Sequence, residues 1–274
     1  HVREAAHPGH FGMRLQLLRH WLYNWPDEII YICKDNQKRL TGDKKGSVIY
    51  NFVDFSCFDR TLSGRRIRES LGIKPDDKLI VHLGGFRSIK GTWELVQAFK
   101  KVHDRLSESR CVIAGCTNGR SNIVTELARY AGFVGYGRRI RTYIHDNGLE
   151  ETVLLQPFRS DIPELLAAAD LLVFPAIVPH FPRPAMEAGA MAKPVVASRL
   201  GGVSEVVQDE VTGLLVPPGD VDALAQAILR VLEDPDFADR LGEAGYKQAK
   251  RLFDARENIR RTVDVYERLL RDSS

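Results

Sequence analysis

The chain has 274 residues, 44% of them hydrophobic and 27% charged, which is enough apolar side chain for a core and enough length for one large domain or two modest ones. The 39 Lys and Arg and 36 Asp and Glu leave a net charge of +3, too balanced to point to nucleic acid. Four scattered cysteines, Cys33, Cys57, Cys111 and Cys116, form no CxxC pair and read as reduced thiols of a cytosolic protein, and the longest nearly apolar run, Leu165 to Pro179, is too short to span a bilayer.

The opening HVRE reads as the tail of a strand, so the sequence is expected to belong to something larger. Residues 14–25, RLQLLRHWLYNW, alternate Leu and Trp with Arg at helical spacing. That helix either packs on a small N-terminal core or lies at a membrane surface as a peripheral contact. Short strands are expected at Glu28–Cys33 and Ser47–Phe52. Charges and turn formers over 55–77 place a domain boundary there, giving a partial α/β domain over 1–60 and a second domain over 61–274.

From Lys78 onward strands and helices alternate. Strands are expected at Lys78–Leu83, Cys111–Ala114, Thr152–Leu155, Leu171–Phe174, Pro194–Ala197 and Gly213–Val216. Helices are expected at Thr92–Leu106, Ser121–Asn147 with a break near Gly132–Gly137, Asp161–Ala168, Pro184–Met191, Val203–Asp209, Val221–Leu232, Pro235–Arg251 and Ala255–Arg271. The strands are short, β-branched and apolar on both faces, as a buried parallel sheet requires. The alternation predicts a doubly wound, Rossmann-like α/β domain with right-handed crossovers.

Four loops at strand ends can carry chemistry. In VHLGGFRSIKG (81–91), Gly84 and Gly85 permit close backbone approach, and Arg87 and Lys90 supply two cations beside a helix start. The same loop also reads as a Gly turn with solvated charges, and it is neither a Walker A loop nor GxGxxG. In LGGVSE (200–205), two glycines open a helix, so its amides can hold a phosphate or Glu205 can complement the helix dipole. In LLQPFRSDIPELL (154–166), Phe158 follows a strand end and either stacks on a base or fills a gap.

The fourth, FPAIVPHFPRPAMEAGAMAKPVVAS (174–198), joins a strand through Pro179, His180, Pro182, Arg183 and Pro184 to a small-residue helix with Glu187 near its mouth. That acid either holds a sugar or only partners the helix N-terminus, worth about 0.3–1 kcal/mol. His82, His103, His145 and His180 show no HxxxH or HExxH spacing, so no metal site is expected. No nucleophile elbow is present.

In this order, the segments VIYNFVDFSCF (48–58), HLGGFRSIKGTWELVQAF (82–99), DIPELLAAADLLVFPA (161–176) and MEAGAMAKPVVASRLGGVSEVVQDEVTGLLVPPGD (186–220) resemble the C-terminal half of family 4 retaining glycosyltransferases of the GT-B fold. The resemblance covers residues 48–272. It implies transfer of a sugar, with retention, from a nucleoside-diphosphate sugar to an acceptor hydroxyl, with UDP ahead of GDP and no metal or other cofactor. By position, Glu187 would hold the donor ribose, Lys90 the diphosphate and Phe158 the nucleobase loop. Gly85 and Arg87 would line the diphosphate, and amides around Phe181 to Ala185 would face phosphate and sugar. Arg87, Lys90 and His180 are the catalytic candidates.

Three departures from the family pattern stand out. Pro179 occupies the place of a first glutamate. His180-Phe181-Pro182 replaces Gly-Phe-Gly, so His180 and Arg183 are expected to substitute as charged donors. Phe86 displaces Arg87 by one position. The resemblance also implies an N-terminal catalytic histidine near Arg3, with His1, His7 and His10 all open as candidates. Two other readings stand: a non-catalytic nucleotide-sugar-binding module, and a different GT-B enzyme such as an epimerase or phosphorylase.

Overall fold

A computed structural model describes residues 20–22, 24–42, 46–116 and 123–272, those from 123 to 134 by their backbone alone. Two parallel sheets organise it. A two-stranded ribbon pairs β1 (Ile30–Tyr31) with β2 (Ser47–Val48) around helix α1 (Lys34–Thr41). The larger sheet holds β3 (Lys78–His82), β4 (Ser109–Ala114), β5 (Val153–Gln156), β6 (Leu171–Phe174), β7 (Val195–Ser198) and β8 (Leu214–Val216). All are parallel, in the order β5-β4-β3-β6-β7-β8.

The strand sequences explain this architecture. Leu79 and Val81 point into one core and Ile80 into the other, and Leu172 and Leu171 divide in the same way. A strand apolar on both sides must be covered on both faces, which only crossover helices supply. One face is covered by α2 (Arg65–Ser70), α5 (Ile162–Ala168), α6 (Arg183–Ala190) and α9 (Pro235–Leu252). The other is covered by α3 (Thr92–Arg105), α4 (Ile123–Asp146) and α8 (Val221–Glu233). Leu79, Ile80, Val81, Leu171 and Leu172 are fully buried. Each such aliphatic side chain contributes about 1.5–3 kcal/mol.

Several expectations change. The helix expected to break near Gly132–Gly137 runs unbroken over Ile123–Asp146. A Cβ at Gly137 would lie 3.0 Å from the Phe86 ring, so this glycine gives the buried Phe86 room against α4. The helix expected to reach Asp209 stops as α7 (Val203–Val206). Asp209 instead accepts from Leu215 N at 2.8 Å, and Thr212 Oγ1 accepts from Gln208 N at 2.8 Å, which closes a turn. The N-terminal strands shrink to two residues each, and α1 and α2 appear where no helix is expected. The 14–25 helix lies mostly outside the described residues. Residues 20–22 and 24 are helical, and Trp21 and Trp25 are exposed.

The 55–77 stretch is tied down. Arg68 Nε donates to Ala168 O at 2.9 Å, Nη1 to Asp77 O at 2.9 Å, and Nη2 to Asp170 at 2.6 Å. Asp170 also accepts from Leu79 N. The last helix, α10 (Ala255–Asp272), leaves the large sheet and packs Val265 and Leu269 on Ile30 and Ile49 of the ribbon. It enters through Val53 N, which donates to Phe253 O at 2.8 Å. Residues 255–272 therefore pack with the N-terminal segment.

Gly91 is in the left-handed region at φ 71°, and a Cβ there would lie 1.7 Å from the Pro175 carbonyl oxygen. Replacing Gly91 with Ala is expected to cost about 1–3 kcal/mol for the backbone strain alone. A urea unfolding series measures the drop.

Candidate functional site at the strand-order reversal

Strand order reverses between β3 and β6, so the helices that follow them cover opposite faces of the sheet, and a crevice is expected between their loops at the carboxyl ends of the strands. In open α/β sheets ligands bind at this place. Here the loop after β3 (residues 83–91) faces the loop after β6 (residues 175–182).

Both loops are held rigidly. His82 is fully buried at the end of β3. Its Nδ1 lies 3.0 Å from Val173 O on β6 and its Nε2 3.1 Å from Thr92 Oγ1 on α3. Thr92 Oγ1 donates to Gly85 O at 2.6 Å. Burial brings the imidazole down to about 4, so it is neutral. Gly85, at φ 54°, lies against the Gly115 backbone, where a Cβ would meet the carbonyl oxygen at 2.1 Å. Sequence reasoning assigned His82 and Thr92 no part in this; the position of His82 two residues before Gly84 was the available signal.

Across the crevice, Lys90 Nζ lies 2.7 Å from His180 Nε2, and His180 Nδ1 lies 2.9 Å from Val178 O. Nζ also sits 5.4 Å from the centre of the Phe174 ring. Burial first, and the Arg87 charge second, bring the Lys90 ammonium down to about 8. Arg87 is exposed. Glu187 is buried in α6, where Arg183 Nε donates to its Oε1 at 2.9 Å. Burial pushes its carboxyl up, against the pull of Arg183.

The structure brings Lys90 and His180 together, and Arg183 and Glu187 together. It does not turn Phe181 into the crevice. That ring stacks on Tyr50 at 6.0 Å and meets Phe253 edge-on at 6.5 Å. The expected row of free amides is also reduced: Arg183 N donates to Phe181 O and Ala185 N to Pro182 O, while Pro182 and Pro184 have no N–H. His180 is likewise no free donor, because both ring nitrogens face partners. Phe158, on the loop after β5, is 84% exposed rather than filling a gap. His1, Arg3, His7 and His10 lie outside the described residues.

The Gly201-Gly202 loop departs furthest from both of its sequence readings. Glu205 accepts from Lys34 N at 2.9 Å, Asp35 N at 2.8 Å and Tyr50 Oη at 3.0 Å. It caps α1 in the N-terminal segment instead of complementing its own helix. A Cβ at Gly201 would fall 2.3–2.5 Å from the Asp35 carboxyl group, so an anionic ligand would meet a like charge there. Among the described residues no group of three or more His, Cys, Asp or Glu is placed to hold a metal ion. Among them, too, no helix is long and apolar enough to cross a membrane.

Replacing Glu205 with Ala removes the cap and leaves the Tyr50 hydroxyl without its acceptor. The expected loss is about 2 kcal/mol of stability, read as a lower midpoint in thermal or urea unfolding.

N-acetyl-alpha-D-glucosaminyl L-malate synthase of Bacillus anthracis is 26% identical over 257 residues, 92% of this chain and 59% of its own. D-inositol 3-phosphate glycosyltransferase of Xylanimonas cellulosilytica is 34% identical over 202 residues, 73% of this chain and 44% of its own. The crystal structure of Anabaena Alr3699/HepE in complex with UDP superposes with a TM-score of 0.84 at 23% identity, covering 97% of this chain and 71% of that one. The chain thus spans about half the length of the curated relatives it matches. Its neighbours are GT-B glycosyltransferases, and its six-stranded parallel α/β sheet has that fold. Residues 64–248 match the family described as Glycosyl transferases group 1, and the chain belongs to it.

Proposed function

We propose that this chain binds a nucleoside-diphosphate sugar, UDP-linked first and GDP-linked second, in the crevice between β3 and β6, and serves its transfer with retention to an acceptor hydroxyl. The observation that carries the reading is the Lys90 ammonium. It is partly buried at the strand-order reversal, with Arg87 beside it, and no carboxylate among the described residues opposes the lowering of its pKa. A cation so placed is stabilised by an incoming anion. The Anabaena neighbour, whose fold this chain shares, is described in complex with UDP.

In this reading Lys90 and Arg87 stabilise the charge that develops on the leaving diphosphate, with no metal ion. The acceptor hydroxyl attacks from the same face, and the departing phosphate oxygen takes its proton. Glu187, once released by Arg183, offers two carboxylate oxygens to the vicinal hydroxyls of the ribose. Phe158 is exposed and available to stack on the base. A second reading, a nucleotide-sugar-binding module without turnover, has one feature in its favour: Pro179 offers no carboxylate to the donor sugar.

Calorimetry tests the proposal. Wild-type protein is expected to bind UDP or GDP at micromolar to millimolar concentration. Replacing Glu187 with Ala should weaken that binding by about 1.5–3 kcal/mol, the size of hydrogen bonds to a charged group. No binding of either nucleotide, or an unchanged affinity in the variant, contradicts it. Binding without donor hydrolysis or transfer selects the second reading.

A further inference from the structure

The contact between Lys90 and His180 constrains where its protons sit. The Val178 carbonyl oxygen only accepts, so the His180 Nδ1 beside it, at 2.9 Å, carries a proton. The Lys90 ammonium only donates, so Nε2, at 2.7 Å, carries no proton and accepts a hydrogen bond from it. The tautomer is thus assigned from the network, with the imidazole neutral. The ring is also packed on Phe174, with centroids 5.0 Å apart and planes inclined at 58°.

We infer that His180 is a positioning residue, which uses Nε2 as an acceptor to hold the Lys90 ammonium at the crevice for the leaving diphosphate. This deepens the proposed function and rests on it for the identity of the anion. An ammonium has three donors. With one directed to Nε2, two remain for phosphate oxygens. Lysine on a flexible four-carbon stem loses much rotamer freedom when fixed by a ligand. An acceptor on the facing loop fixes it beforehand.

The charged and titratable groups around the pair suit this arrangement. Arg87, on the same loop as Lys90, and neutral His82, behind the loop, do not supply an acceptor for the ammonium. On α6, Arg183 and Glu187 hold each other. A hydrogen bond from the ammonium to a neutral imidazole favours the protonated lysine, so it opposes the lowering by burial. Removing it should make Lys90 lose its proton at a lower pH. Nucleotide affinity should then begin to fall at a lower pH in the variant than in the wild type, in which burial already lowers the Lys90 pKa.

The test uses the full chain. Imidazole nitrogen NMR of the ligand-free protein should show His180 as the Nδ1–H tautomer, with an Nε2 signal that moves when Lys90 is replaced by Met. In calorimetry, His180→Phe, which keeps a ring against Phe174, should weaken UDP about three- to tenfold, the size of one hydrogen bond. Uridine, which lacks the diphosphate, should be unaffected. The deficit should widen as pH rises. His180→Gln, whose amide oxygen can accept the same proton, should recover most of the loss. An Nε2–H tautomer, or a Phe variant that binds UDP like wild type with the same pH dependence, overturns the inference. The NMR arm needs no nucleotide. An Nδ1–H tautomer coupled to Lys90 in a protein that binds neither UDP nor GDP therefore supports the pair and sinks the functional reading alone.

Discussion

The reversal of strand order between β3 and β6 is the constraint on which the rest of the structure depends. A parallel sheet apolar on both faces must be wrapped by helices on both sides, and the wrapping changes direction once. At that point the loops of the two central strands part. Everything with chemical interest here follows from what those loops carry: Arg87 and Lys90 on one, His180 on the other, and Glu187 on the helix that follows. The backbone beneath the loops is over-determined, and the two are tied to each other where Ile177 N donates to Ile89 O at 3.2 Å. His82, Thr92 and Gly85 form one hydrogen-bonded chain from β6 to the glycine turn, and Gly85 and Gly91 allow approaches to Gly115 and Pro175 that a side chain would block.

The N-terminal segment is coupled to this site without lining it. Glu205 caps α1 and binds Tyr50, Tyr50 stacks on Phe181, and Phe181 lies next to His180 in the chain. The Gly201-Gly202 loop and the 180–183 loop therefore both rest on residues 33–50. The return of α10 to the ribbon adds a second tie.

Much of the large sheet is legible in the sequence because period and composition report it directly. Strands such as Leu171–Phe174 are apolar throughout, and helices such as Thr92–Arg105 repeat their buried side at the helical period. What the sequence hides is pairing over long separations. Glu205 looks like a dipole partner for its own helix, yet its partners are 155 to 171 residues away. Phe181 sits in a motif that suggests a ligand, but Tyr50 and Phe253 compete for its ring and hold it. Gly135 and Gly137 look like helix breakers. In an otherwise helical run each costs only about 0.5–1 kcal/mol, and at Gly137 the Phe86 ring takes the space that a Cβ would fill. Lys90 and Glu187 were visible as residue types beside helix starts. That His180 Nε2 would lie 2.7 Å from Lys90 Nζ was not, because ninety positions separate them.

The central claim is that a nucleoside diphosphate sits where the loops of β3 and β6 diverge. A crystal structure of the chain soaked or grown with UDP tests this most directly. The account predicts the pyrophosphate within hydrogen-bond distance of Lys90 Nζ, with the ribose at Glu187 Oε1 or Oε2. A pyrophosphate bound elsewhere, for example over Gly201 and Gly202, with Lys90 still facing only His180, would contradict it.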